Sequence, residues 1–232
     1  MDFIMIRHVL IDLDDTILDF HRSEAEALSA ALRKVNIEPT EGIIRKYSEI
    51  NDSQWKLLER GLASREEVLV NRFAILFSEL SLDLSAYEMR KSYENLLSES
   101  YHFMPGAIEL LEKLHTGYSL YLASNGTDSV QTKRIAAAGI EKYFKDIFIS
   151  ERLGHNKPSI EYFNKCFERM KNPPLSECII VGDSLSSDIQ GGINAGIMTC
   201  RYNPRNLPAS GKIRADFEIS DLSELPALLS SI

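Results

Sequence analysis

Asp12, Asp14 and Asp15 stand within four residues of one another in Val9-Leu10-Ile11-Asp12-Leu13-Asp14-Asp15-Thr16, directly behind an apolar run. Carboxylates this crowded repel one another and cost stability unless a cation or a proton shares the site. The simplest occupant is a hard divalent ion such as Mg²⁺, which takes oxygen ligands and keeps positions open for substrate phosphate. A solvated acidic turn is the competing reading of these residues taken alone. Farther along stand Ser124-Asn125, Lys157-Pro158, and Gly182-Asp183 with Asp188 just beyond. Acids, a hydroxyl and a lysine together make a workable phosphoryl-transfer centre.

Each of these groups sits where an element should deliver it. Val9 to Ile11 reads as a fully buried strand, bounded as it is by a polar cluster. Tyr118 to Ala123 is a second strand and ends in Ser124-Asn125-Gly126. Asp146 to Ser150 is a short third strand. Cys178 to Val181 is a buried strand that ends in Gly182-Asp183. Ile197 to Tyr202 and Phe217 to Ile219 complete the set. Helical patterns lie between them. One opens at Pro105-Gly106, one runs from about Ser129 to a stop at Gly139, and one carries Ile160, Phe163, Phe167 and Met170. Another starts at Ser187 or Asp188 and stops near Gly196. Strands alternating with helices imply an α/β fold, a doubly wound parallel sheet with helices on both faces. In such a sheet ligands bind beyond the carboxyl ends of the strands, so the four polar groups converge on one crevice.

Between the first strand and the rest, from about His21 to Tyr101, the period is helical and no strand is convincing. Ala25, Leu28, Leu32 and Val35 share one face. Val68, Leu69, Phe73, Leu76, Phe77 and Leu80 make another apolar stripe. Asn36, Pro39-Thr40, Gly61 with Ser64, and Asp83 to Ser85 punctuate the stretch. This predicts about four helices in an inserted all-helical domain, residues 21–101, with the α/β core formed by 1–20 and 102–232.

Bulk composition narrows the classes. The chain has 232 residues and a net charge of −8, which argues against a general surface for nucleic-acid polymers or anionic membranes. No run reaches the length of a membrane helix, and the N-terminal stretch lacks a basic leader. The three cysteines, Cys166, Cys178 and Cys200, include no CxxC pair. They fit unpaired thiols in a reducing cytoplasm better than a disulfide framework or a zinc site. A monomer or weak dimer is the expected assembly.

The order and content of these motifs resemble the haloacid dehalogenase-like superfamily, whose pattern is DxDxT, a Ser or Thr at a strand end, a Lys, and GDxxxxD. A helical insertion after the first motif is also where that superfamily carries one of its cap domains. Asp14, the acid two places after the first, points to the phosphatase branch, since the dehalogenases proper lack it and need no metal. The resemblance implies Asp12 as nucleophile forming an aspartyl-phosphate, with Asp14 as acid and then base. It also implies Mg²⁺ held by Asp12, the Asp14 main-chain carbonyl and Asp183, with Asp188 supporting through water. Ser124, the Asn125 N–H and Lys157 would meet phosphoryl oxygens. Within the superfamily the chain is most similar to bacterial pyrimidine 5′-nucleotidases, through Tyr47-Ser48-Glu49-Ile50-Asn51, Trp55, Glu59-Arg60-Gly61, Arg72-Phe73, Ser124-Asn125-Gly126 and Gly191 to Gly196. That likeness implies a small phosphate monoester substrate, a nucleotide, with Tyr47 and Trp55 offered as aromatic surfaces for a base.

The duller readings stand beside these. Ser124-Asn125 could be a plain turn, Lys157 a solvated surface lysine before a proline, Asp188 a helix N-cap, and Trp55 a core filler of the helical domain, which its size favours. Asp15 reads as a loop acid. Alternatives for the whole chain are a phosphatase of sugar phosphates or other small metabolites, a phosphoglucomutase-like enzyme, a phosphonate hydrolase, or a catalytically silent binding protein.

Overall fold

The computed structural model describes residues 5–208 and 211–232. Residues 1–4, on which part of the expectation about a leader falls, lie outside the described residues. In chain order the elements are β1 (His8–Ile11), α1 (Phe20–Lys34), α2 (Glu41–Glu59), α3 (Arg65–Glu79), α4 (Ala86–Glu99), α5 (Ala107–Leu114) and β2 (Ser119–Ser124). They continue with α6 (Asp128–Ala138), β3 (Asp146–Ile149), α7 (Ser150–Leu153), α8 (Ile160–Arg169), β4 (Cys178–Gly182), α9 (Gln190–Ala195), β5 (Met198–Tyr202), β6 (Phe217–Ile219) and α10 (Leu225–Leu229). No helix among the described residues is long and apolar enough to cross a membrane.

The chain forms two compact units, one of residues 1–19, 103–128 and 138–232, the other of residues 20–102 and 129–137. The first is the α/β unit. Its strands pair in parallel in the order β3-β2-β1-β4-β5-β6. The chain winds outward from β1 in one direction and then returns to wind outward in the other, so the order reverses beside β1, where such sheets open a crevice. Apolar residues alternate across the pleat. Leu10, Tyr121, Ala123, Cys178 and Ile180 face one layer and pack with Tyr162, Phe163, Cys166, Phe167 and Met170 of α8 and its end. Their neighbours Val9, Ile11, Leu122, Ile179 and Val181 are equally buried, as strands covered on both faces require. Ile160, expected on the buried face of α8, is exposed at its first turn, and Tyr162 and Cys166 take the inner positions instead. All three cysteines are free and buried, and burial pushes their thiols up to about 12, which leaves them unreactive.

The helical unit holds α1 to α4 and most of α6. The punctuation seen in the sequence is its capping chemistry. Thr40 and Ser85 accept the N–H groups of Ile43 and Glu88, and Ser64 forms a reciprocal capping box with Glu67. The α1 face that enters the core is Ala27, Leu28, Ala31 and Leu32, while Val35 is exposed beyond the last turn. Tyr47, Phe73 and Tyr93 stack at its centre, with ring centroids 5.0 to 5.5 Å apart.

That core also contains a polar chain. The Asn51 amide donates to Glu24 at 2.7 Å, and Arg72 donates to Asn51 at 3.0 Å and to Glu94 at 3.3 Å. Burial raises the Glu24 carboxyl above its ordinary value, against the pull of Ser48, His21, Asn51 and Arg72. A carboxyl raised in this way contributes stability while protonated. The contribution is full below the unfolded pKa and is lost as pH rises through the folded one. Glu24→Gln keeps an acceptor for Asn51 and removes the buried charge. It is expected to raise Tm by about 2–4 °C at pH 8, about 1 kcal/mol, with the difference vanishing as pH falls toward about 4. Thermal melts of both proteins across that range check this, and a lower Tm for the variant at pH 8 would contradict it.

Candidate active site

The sheet brings the expected residues together at one end. Asp12 continues β1 by one position, its N–H donating to the Val181 carbonyl at 2.9 Å, so its carboxylate is aimed off the tip of the central strand. The chain then folds tightly. Ile17 and Leu18 N–H groups both bond the Leu13 carbonyl, and Asp15 N–H bonds the Leu18 carbonyl at 2.7 Å. Asp15 takes a left-handed conformation, φ 58°, which asparagine and aspartate tolerate better than most residues. The returning chain clamps this loop. Leu18 bridges Phe103, and Met104 N–H donates to the Ile17 carbonyl at 2.9 Å. Asp14 is half-buried within the loop, and its charge is felt at Asp12.

Lys157 is the centre of the arrangement. Only 1% of it is exposed, and its ammonium donates to Asp12 Oδ1 at 2.5 Å, to the Ala123 carbonyl at 2.6 Å and to Asp188 Oδ1 at 2.7 Å. All three N–H bonds of the ammonium are therefore used. Burial alone would lower its pKa. The Asp12 and Asp188 carboxylates reverse that and hold it above the ordinary lysine value. A solvated surface lysine is excluded. The Asn125 side chain explains how Lys157 is held in place. Its amide donates to the Lys157 carbonyl and its oxygen accepts the Lys157 N–H, both at 2.9 Å. Ser124 is buried, and its hydroxyl accepts the Gly126 N–H at 3.1 Å, so the turn after β2 is closed by the residue expected to meet phosphate.

Asp183 and Asp188 complete the acidic side. One carboxylate oxygen from each of Asp12, Asp183 and Asp188 lies within 4.8 Å of the others. Asp188 is no N-cap. Ser184 caps that segment by accepting the Ser187 N–H, and the Ser184 N–H donates to Asp188 Oδ2 at 3.1 Å. The segment starts as a π-helical turn, Leu185–Ile189, before α9. The Asp188 carboxylate lies against Gly182, where a Cβ would come within 2.3 Å of it, so glycine is required there for the acid to reach Lys157. Burial raises the Asp12 carboxyl despite Lys157, and burial with the charges of Asp12, Asp188 and Asp15 raises Asp183. Three carboxylates against one ammonium leave excess negative charge in a poorly solvated place. All the donors are oxygens, which is the donor set a hard divalent cation such as Mg²⁺ takes.

The haloacid dehalogenase-like hydrolase family matches residues 6–196. The chain belongs to the haloacid dehalogenase-like hydrolases. It is 38% identical to the HAD-hydrolase YfnB of Bacillus subtilis over 97% of this chain and 95% of that protein. A crystal structure of YfnB bound to magnesium, described as revealing interdomain movement, superposes with a TM-score of 0.92 over 97% of this chain and 99% of that one. The pyrimidine 5′-nucleotidase PynA of Streptococcus pneumoniae is 33% identical over 94% of this chain and 93% of its own. The pyrimidine 5′-nucleotidase YjjG of Escherichia coli is 27% identical over 95% and 96%.

In this haloacid dehalogenase-like hydrolase the candidate site contains parts that motif reading does not supply. The Asn125 side chain as the brace of Lys157, the Ala123 carbonyl as its third acceptor and Ser184 as the brace of Asp188 all depend on contacts between distant segments. The one available signal was position. Asn125 and Ser184 directly follow strand-end motifs, where side chains bond neighbouring backbone. Of the two aromatic residues offered for a base, Tyr47 is fully buried between Phe73 and Tyr93 and has no free face. Trp55 is only half-buried, with the Arg65 guanidinium 5.5 Å from its ring centroid, so it is not a filler of the helical core.

Proposed function

We propose that this hydrolase is a Mg²⁺-dependent phosphomonoesterase that prefers pyrimidine nucleoside 5′-monophosphates. The observation that carries the phosphatase reading is the buried Lys157 ammonium bonded to Asp12 and Asp188, with Asp183 beside them. The pyrimidine preference is supported by likeness to PynA and YjjG along nearly the whole chain.

In this mechanism an Asp12 carboxylate oxygen attacks phosphorus, and the bond from phosphorus to the ester oxygen breaks. Asp14 gives its proton to the leaving alkoxide. It then takes a proton from the water that cleaves the aspartyl-phosphate, releasing inorganic phosphate and restoring Asp12. Lys157 orients Asp12 and neutralises charge on the transferring group, while Ser124 and the Asn125 N–H hold phosphoryl oxygens. Mg²⁺, held by the Asp12 carboxylate, the Asp14 carbonyl and Asp183 with Asp188 in support, would supply further positive charge at the phosphoryl group. The helical unit serves as the cap that reads the leaving group, a role that the interdomain movement described for YfnB supports. The three buried free cysteines support a reducing, cytoplasmic setting.

The test is a panel of phosphate monoesters assayed with Mg²⁺ and with chelator. Pyrimidine nucleotides are expected to exceed sugar phosphates by about tenfold in kcat/KM, the worth of one stacking contact, and chelation is expected to remove all turnover. Trp55→Ala is expected to narrow the gap between nucleotides and sugar phosphates. A panel led by hexose or triose phosphates would overturn the nucleotidase reading alone. Full activity in excess chelator would overturn the metal-dependent one.

A further inference from the structure

By connectivity α6 is a crossover of the α/β unit, leading from β2 and the Ser124-Asn125-Gly126 turn to β3. By packing, most of it belongs to the helical unit. Val130 is buried in the helical core with Leu28, Tyr47 and Phe73. Arg134 has no exposed surface at all. Its Nε donates to the Ser100 carbonyl at 3.2 Å, its Nη1 to Gln131 at 3.0 Å, and its guanidinium lies 5.7 Å from the Phe20 ring centroid. Phe20 is the first residue of α1, and Ser100 caps the end of α4. One side chain therefore ties α6 to both ends of the inserted helices. At the start of α6 the attachment is to the α/β unit. Asp128 N–H donates to Glu151 at 2.6 Å and its carboxylate pairs with Arg152 at 2.5 Å. A buried arginine is an expensive way to fill a helix face, where leucine would do. What its flat, rigid fork adds is the ability to bond a main-chain carbonyl and lie against a ring at once.

We propose that Arg134 is a positioning residue for phosphate binding. By fixing α6 to the two ends of the insertion it sets the geometry of the Ser124-Asn125-Gly126 turn, and through the Asn125 brace that of Lys157. The proposal rests on the reading of Ser124, Asn125 and Lys157 as phosphoryl ligands. It makes the inserted helices a determinant of phosphate affinity even for an ester too small to need them for recognition.

The experiment compares the full-length wild type with Arg134→Gln and Arg134→Lys in Mg²⁺. The readouts are the Kd for inorganic phosphate, KM and kcat for a simple aryl phosphate, and amide hydrogen exchange in residues 125–128. Arg134→Gln is expected to raise Kd and KM together by about tenfold, to lower kcat by a smaller factor through Lys157, and to speed exchange in 125–128. Arg134→Lys, which keeps a donor for the Ser100 carbonyl, is expected to recover part of the loss. A folded Arg134→Gln with a lower Tm but wild-type Kd, KM and exchange would reduce Arg134 to a packing residue and overturn the proposal. If that variant does not fold, Phe20→Leu, which removes only the ring under the guanidinium, is judged by the same criteria. A wild type that neither binds phosphate nor turns over any ester sinks the phosphatase reading instead. Exchange in 125–128 then decides the link between α6 and the turn, and unchanged exchange overturns it.

Discussion

Asp12→Asn is expected to abolish phosphate-ester turnover, by at least about a thousandfold, while the protein stays folded. The carboxamide has the shape of the carboxylate and its oxygen still accepts from Lys157, which now donates to Asp12 Oδ1 at 2.5 Å. It lacks the charge and nucleophilicity that attack on phosphorus needs. Lys157 keeps Asp188 Oδ1 and the Ala123 carbonyl as acceptors in the variant, so its ammonium stays paired and the protein stays folded. Initial rates on an aryl phosphate, with melting curves beside them, separate the two effects. A mass measurement after brief substrate exposure is expected to find a phosphoryl group on the wild-type peptide containing residue 12 and none on the variant. Asp14→Asn keeps the nucleophile and is expected to slow turnover by about a hundredfold or more, since both proton transfers suffer. Wild-type turnover by Asp12→Asn would remove the covalent mechanism.

The parts of the candidate site that sequence reveals are those where a polar group and the end of a strand coincide. Asp12, Ser124 and Asp183 each follow an apolar run, because a buried parallel strand must be apolar and a site at its tip must not be. The runs are short and the turns sharp, so the β-strand positions and their tips can be read directly. Lys157 is less legible. Its role depends on three acceptors drawn from β1, β2 and the turn after β4, and a lysine before a proline carries no sign of burial. The Asn125 brace is the same kind of case, a pair of bonds between segments far apart in the chain.

Helix α6 shows why packing partners escape sequence reading. Its buried residues are Val130, Gln131, Arg134 and Ile135, two of them polar, so no continuous apolar stripe marks the face that enters the helical core. Periodicity can show that a face is buried, but not against what. The aromatic residues make the point from the other side. Tyr47 and Trp55 lie on the same helix, α2, and either could have faced a ligand. Composition does not distinguish the tyrosine stacked in the core from the tryptophan under Arg65 at its margin.

Lys157→Met is expected to be the most damaging of these substitutions to stability. Methionine fills nearly the same space, so the loss is electrostatic rather than a cavity. It leaves Asp12 Oδ1, Asp188 Oδ1 and the Ala123 carbonyl without the ammonium that now serves all three. Breaking a buried ion pair from one side costs about 3–5 kcal/mol, which for a chain of this size lowers Tm by roughly 10 °C. The loss is expected to be larger in chelator than in Mg²⁺. Without lysine the oxygens of Asp12, Asp183 and Asp188, all within 4.8 Å, face one another with no internal counter-charge, and a divalent cation offsets part of that repulsion. Melting curves of wild type and variant, each with Mg²⁺ and with chelator, give the four values needed. If the variant loses the same Tm in both conditions, cation and ammonium do not share these carboxylates. If it loses none, the Lys157 contacts contribute nothing to the fold and the cluster must be neutralised by protons.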